Sequence, residues 1–178
     1  MTNNNKIEKV ILVNENDKVL GEMEKMEAHV KGLLHRAISV FIVNSKGEWL
    51  IHQRALNKYH SNGLWTNTCC SHPFPGETSI DAANRRLMQE MGMQAPLQEI
   101  FAFTYKEELD NRLTEHELDR VFIGFSDDKP EPNADEVSSW KYINFEELRK
   151  DIKNNPENYT VWFKKIYERV EEHLKVQT

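Results

Sequence analysis

The sequence predicts an α+β fold in which a mixed β-sheet is flanked by α-helices. Two patterns carry that expectation. Short apolar runs bounded by turn-forming clusters recur between residues 8 and 126, and segments near residues 78–92 and at the carboxyl end place apolar residues at helical spacing. The length of 178 residues, with 39% hydrophobic and 29% charged residues, suits one domain over 1–178 rather than two separate cores.

The runs 8–13 (EKVILV) and 18–23 (KVLGEM) are β-prone and flank an Asn- and Asp-rich turn, which predicts an opening hairpin. A polar segment containing His29 and His35 leads into 37–43 (AISVFIV), then Asn-Ser-Lys-Gly, then 48–53 (EWLIHQ), a second hairpin. Residues 57–78 carry Gly63, Pro73, Pro75 and Gly76 and are expected to form a long functional loop. From Thr78 the pattern becomes helical. Ile80, Ala83, Leu87 and Met91 share a face, Thr78 is a cap with Asp81 in reach, and Gly92 is a stop. Strands are expected over 99–105 and 120–126, with 106–118 as a polar connection. Phe145, Leu148 and Ile152 predict a short helix, and Trp162, Phe163, Ile166, Val170 and Leu174 a longer one.

A net charge of −6 argues against nucleic acid or an anionic membrane as partner, so any phosphate-binding cations act locally, in a pocket. The amino-terminal stretch has no basic segment followed by an apolar one, and no apolar run is long enough to span a bilayer. Cys69 and Cys70 are adjacent, a poor arrangement for an intrachain disulfide, so a reducing cytoplasm is expected. The Asn158-Tyr159-Thr160 acceptor pattern is discounted for the same reason.

His29, His35 and His72 fall in polar segments at strand or loop edges, where surface histidine is the plain alternative to a ligand. Glu115 and Glu117 alternate, so on a strand their side chains share a face, where like charges repel unless a cation neutralises them. Imidazole nitrogens with carboxylate oxygens suit zinc, manganese or iron. On the helix, Arg86 and Glu90 lie together beside the apolar stripe. A surface salt bridge is one reading. The other, given Arg54 and Lys58 upstream, is a grip on a diphosphate and its magnesium ion.

The stretch from Ser71 to Gly92, SHPFPGETSIDAANRRLMQEMG, resembles a degraded Nudix box. Glu77, Arg85, Glu90 and Gly92 match the pattern, Ser71 stands at the first glycine, and Arg86 and Gln89 replace two acids that a pyrophosphate hydrolase uses to gather metals and activate water. From about residue 8 to residue 165 the chain is similar to the type I isopentenyl-diphosphate delta-isomerases, a Nudix-fold family. The similarity rests on the His29/His35 segment, RALNK at 54–58, WTNTCCSHP at 65–73, RRLMQEMG at 85–92, Tyr105, Glu115-His116-Glu117 and Trp162. His29 and His35 are one position closer than in the bacterial members.

The resemblance implies an isomerase of isoprenoid biosynthesis that interconverts isopentenyl and dimethylallyl diphosphate through a tertiary carbocation, as a monomer or homodimer. His29, His35, His72, Glu115 and Glu117 would bind one manganese or zinc ion. Glu90 and the Cys70 carbonyl would hold a magnesium ion that travels with the substrate. Lys25, Arg54, Lys58 and Arg86 would contact the diphosphate. Cys70 and Glu117 would be the acid–base pair, with Tyr105 beside the carboxylate and the Trp162 indole facing the cation. Without the resemblance, Cys70 reads as an inert buried thiol and Trp162 as a core anchor. Competing functions are a Nudix pyrophosphohydrolase acting on a nucleoside diphosphate derivative and a catalytically silent Nudix-fold binding module. Because Arg86 flanks the apolar face, its removal is expected to spare stability, and Cys69→Ser is expected to be nearly silent.

Overall fold

The computed structural model describes residues 7–176; the start of the amino-terminal stretch read above, residues 1–6, and the last two residues of the expected domain lie outside it. Among the described residues, β1 (Lys9–Val13) and β2 (Val19–Glu24) form the opening hairpin, followed by α1 (Lys25–Lys31), β3 (His35–Val43) and β4 (Trp49–Arg54). Then come β5 (Trp65–Thr66), β6 (Cys69–Ser71), α2 (Ser79–Met91), β7 (Leu97–Glu108), β8 (Thr114–Phe125), β9 (Val137–Ile143), α3 (Phe145–Asn154) and α4 (Val161–Val176). No helix among these residues is long and apolar enough to cross a membrane.

The two hairpin turns use the same device. Asn14 Oδ1 accepts from the amides of Asn16 and Lys18, and Asn44 Oδ1 accepts from those of Lys46 and Glu48, so an Asn side chain replaces backbone partners at each reversal. The sheet is mixed as expected. β3 runs parallel to β8 along its length and antiparallel to β1, β4 and β6, and β7 pairs antiparallel with β8.

Alternation along β3 divides the molecule. Ile38, Val40 and Ile42 face α2, where they pack with Ala82, Ala83, Leu87, Met91 and Phe122. Phe41 and Val43 face the other way, toward Val121, Ile123 and the apolar sides of α3 and α4, including Leu148, Ile152, Phe163 and Val170. Each such buried side chain contributes about 1.5–3 kcal/mol. His35 and Ser39 share the α4 side with Phe41, so one end of this face is polar and enclosed.

Several expectations need correction. The 57–78 loop contains β5 and β6, which are too short to leave a periodic signal. The polar connection 106–118 is mostly strand: β7 and β8 extend into it, leaving only a turn around Asp110–Arg112, because polar residues alternate on these strands where they leave the core. α1 and β9 were not anticipated. Ile80 is 36% exposed, and the buried side of α2 instead runs through Ala82, Ala83, Leu87, Glu90 and Met91. Thr78 and Gly92 cap α2 as expected. Gly92 has φ of 62°, and a Cβ there would meet the Glu131 carbonyl oxygen at 2.5 Å, so no other residue fits.

Candidate active site

β3 and β8 place His35 directly beside Glu117, and the alternation of β8 turns Glu115, Glu117 and Asp119 to the same side. β6 pairs Cys70 with Ser39, so the Cys70 side chain joins this polar face, while Cys69, paired with Val40, faces α2 and is fully buried there. The two adjacent cysteines therefore have opposite environments. His29 arrives from α1, whose Gly32 adopts the left-handed conformation (φ 62°) that turns the chain back into β3. The shortened step from His29 to His35 is spanned without separating the rings, whose centroids are 4.8 Å apart.

One ligand atom each from His29, His35, His72 and Glu117 lies within 4.8 Å of all the others, and a second group joins His29, His60 and Glu115. His29 Nδ1 lies 2.7 Å from the Lys25 carbonyl and His35 Nδ1 2.8 Å from that of Leu33, so each Nδ1–H donates to a carbonyl. Each Nε2 then presents a bare lone pair, and both are buried without a hydrogen-bond partner. His35 Nε2 and His72 Nε2 stand 3.5 and 2.9 Å from the same oxygen of Glu117. Lone pairs and a carboxylate converging on one buried point repel unless a cation lies among them, so these residues fit a divalent metal.

Burial holds His29 and His72 neutral, the ligating form: it is the largest cause lowering His29 to about 4, and it lowers His72 against the pull of Glu117; it also lowers the neighbouring His60 to about 3. Burial opposes ionisation of Glu117, but positive charge where the His35 and His72 rings meet it, a ring proton or a bound cation, outweighs burial and holds the carboxyl well below the usual range. Glu115 moves the other way, raised by burial and then by the charge of Glu117. The Tyr105 hydroxyl lies 2.9 Å from Glu115 Oε2 and 2.8 Å from Glu117 Oε2, bridging the pair. The hydroxyl has one proton to donate, and it shares it between the two carboxyl groups.

A cavity of about 110 Å³ opens beside this cluster, lined by Cys70, His72, Glu115, Glu117, Trp162, Glu90 and all four expected cations. His29, His35 and Tyr105 lie behind the wall. The cations are mostly paired: Lys25 with Glu8, Lys58 with Glu136, and Arg86 with Glu90 and, at 3.4 Å, Glu136. Arg54 has no acid partner among the described residues. Its Nε and Nη2 donate to the carbonyls of Ser61 and His60, and its guanidinium lies 5.3 Å over the Trp162 ring. Burial pushes the Cys70 thiol up, so it keeps its proton here. Glu77 and Arg85, matched to the box, sit outside the cavity as a clamp: Arg85 donates to both Glu77 oxygens at 2.7 and 2.8 Å while Glu77 also accepts from the Phe74 amide.

Sequence reasoning missed several lining groups. Asp119 continues the alternation begun by Glu115 and Glu117 and was legible on that ground; it accepts from Ser39 Oγ at 2.7 Å, and burial raises its pKa. Tyr59 and His60 follow Lys58 in the long loop. Glu8 and Glu136 carry no local signal, being distant in sequence from everything they touch.

A mixed sheet between helices, with a capped loop–helix presenting Glu90 and Arg86 to a cation-lined cavity, is the arrangement of the Nudix class. A model of the NUDIX domain matches residues 33–163. A Deinococcus radiodurans crystal structure shares the fold with a TM-score of 0.69 at 22% identity, covering 83% of this chain and 90% of that one. A MutT protein from Methanosarcina mazei does so at 0.65 and 19% identity, covering 80% and 96%. The isopentenyl-diphosphate delta-isomerase of Pectobacterium atrosepticum is 52% identical over 92% of each chain. That of Aromatoleum aromaticum numbered 2 is 47% identical over 92% of this chain and 86% of its own. The chain belongs to the Nudix family and, within it, to the isopentenyl-diphosphate delta-isomerases.

Proposed function

We propose that this chain interconverts isopentenyl and dimethylallyl diphosphate, with Cys70 and Glu117 as the two proton carriers. The observation that carries the roles is their placement: a thiol from β6 and a carboxylate from β8 line one cavity, together with four cations and residues of the histidine–carboxylate cluster. The allylic shift adds one proton to the terminal methylene, which leaves a tertiary cation on the methyl-bearing carbon, and removes one from the chain methylene on the other side of that carbon. Two carriers at different sides of the substrate are what it needs.

Lys25, Arg54, Lys58 and Arg86 would bind the diphosphate, displacing the carboxylates that pair with three of them. Glu90 and the Cys70 carbonyl would hold magnesium arriving with the substrate. His29, His35, His72, Glu115 and Glu117 would hold manganese or zinc, whose positive charge lowers the cost of a buried carboxylate pair and fixes its orientation. Tyr105 hydrogen-bonds Glu117 and directs it, and the Trp162 ring faces the cavity, where its π-system stabilises a tertiary cation and its bulk excludes water. Arg86 stands where a hydrolase needs an acid, which disfavours water activation. One domain supplies the whole site, and its two free thiols suit a reducing cytoplasm.

The test is proton NMR of the purified chain with isopentenyl diphosphate, magnesium and manganese. Allylic product without phosphate release is expected; phosphate release without allylic product would refute the proposal.

A further inference from the structure

The loop between β4 and β5 holds a histidine that neither the box nor the family resemblance assigns a role. His60 is 5% exposed, and its Nε2 lies 3.4 Å from Glu115 Oε1. Its Nδ1 is 3.1 Å from Ser61 Oγ. Of the two neutral tautomers, the one in which the Ser61 hydroxyl donates to Nδ1 places the ring proton on Nε2, the side that faces Glu115. Tyr105 reaches the other oxygen of the same carboxyl group at 2.9 Å, so Glu115 is held from both sides.

His60 is also tied to the diphosphate end. Arg54 donates to its carbonyl at 3.2 Å and to that of Ser61 at 3.1 Å. The His60 ring stands edge-on to Trp162, with centroids 6.0 Å apart, and 6.1 Å from the His29 ring. One buried imidazole thus touches a carboxylate of the histidine–carboxylate cluster, the aromatic wall and, through its backbone, a cation expected to bind phosphate.

We propose that His60 is a positioning residue for the metal centre, holding Glu115 in its ligating orientation through Nε2–H and linking that carboxylate to the Arg54–Trp162 wall. Partners of this kind orient ligands and typically govern metal affinity by about 10–100-fold. The inference rests on the reading of His29, His35, His72, Glu115 and Glu117 as a metal centre.

The experiment measures divalent metal retained by the full chain, by elemental analysis after equilibration against graded chelator, with melting curves of the metal-free forms. His60→Ala is expected to lose metal at about 10–100-fold lower chelator concentration. His60→Gln, whose amide can still donate to Glu115, recovers part of that loss. Ser61→Ala, which frees the tautomer, loses roughly several-fold within the same effect. Metal-free His60→Ala is expected to melt close to the metal-free unaltered chain. Undiminished retention in His60→Ala overturns the assignment. So does a metal-free melting loss as large as the loss in the loaded form, without rescue by Gln, since packing alone would explain it. If His60→Ala does not fold, unchanged retention in both Ser61→Ala and His60→Gln overturns it instead, whereas reduced retention in Ser61→Ala upholds it. An unaltered chain that holds no metal at any chelator level defeats the centre itself, an outcome distinct from failure of His60 alone.

Discussion

Replacing Arg86 by Gln tests whether this guanidinium is a substrate contact on a neutral flank or part of the buried structure. Its side chain is 16% exposed and that of its partner Glu90 5% exposed, and Arg86 Nε donates to Glu90 Oε1 at 3.1 Å. Breaking one partner out of a buried pair costs about 3–5 kcal/mol, because the other charge stays behind. A Gln amide that still donates one hydrogen bond returns about 1 kcal/mol, leaving a loss of about 2–4 kcal/mol. For a chain of this size that lowers Tm by roughly 5–15 °C. The expectation that Arg86 is dispensable for stability is therefore corrected: the α2 flank on which it lies is covered by the loop carrying Glu136.

The deficit has a sign in pH. Burial already raises Glu90 above its ordinary 4.5, and Arg86 pulls it back down, so removing Arg86 raises it further. A carboxyl group whose folded pKa exceeds its unfolded one binds more protons folded than unfolded between the two values, so stability falls as pH rises through that window. The Tm difference between Arg86→Gln and the unaltered chain should be small at pH 5 and large at pH 8. Calorimetric melts in chelator at both values measure it. Steady-state kinetics with isopentenyl diphosphate should show kcat/KM about 10–100-fold lower, the loss of a charge-assisted contact. A deficit that is equal at both pH values, larger in acid, or absent at pH 8 would refute the reasoning.

Cys70→Ser and Glu117→Gln should each lower turnover by about 100-fold or more, as loss of a proton carrier does, in protein that melts as one cooperative unit; near-normal rates would remove them from the chemistry. Cys69→Ala should keep activity, whereas Cys69→Ser, contrary to the sequence-based expectation, should lose about 1–3 kcal/mol of stability, since Cys69 is fully buried among apolar residues. Denaturant melts with activity assays separate these outcomes, and an inactive but stable Cys69→Ala would reverse the assignment of the two thiols. Removing divalent metal should lower Tm, by up to about 4 kcal/mol of stability relative to metal held at a thousandfold excess over Kd. Manganese or zinc should restore it, and a melt indifferent to both would exclude a metal among His29, His35 and their neighbours.

The sequence by itself was enough for whatever is periodic or local. Alternation and turn chemistry located both amino-terminal hairpins, and the apolar spacing with Thr78 and Gly92 located α2 nearly to its ends. The motif resemblance named residues that the structure gathers around one cavity, although nothing in their spacing required them to meet. Strand ends were misjudged at 106–118 because the sheet continues where its side chains become polar, which removes the apolar signal but not the hydrogen-bond ladder. The resemblance singled out Cys70, but only the tertiary structure gives the physical reason: adjacent residues on a strand point to opposite sides, and the pairing of β6 with β3 sets which side is which. Tertiary structure likewise brought Glu8 to Lys25, Glu136 to Lys58 and Arg86, and His60 to Glu115, contacts across loops whose closure leaves no trace in composition. Local sequence encodes backbone preference and facing. Which charges neutralise one another, and so which pKa values move, depends on the distances that folding creates.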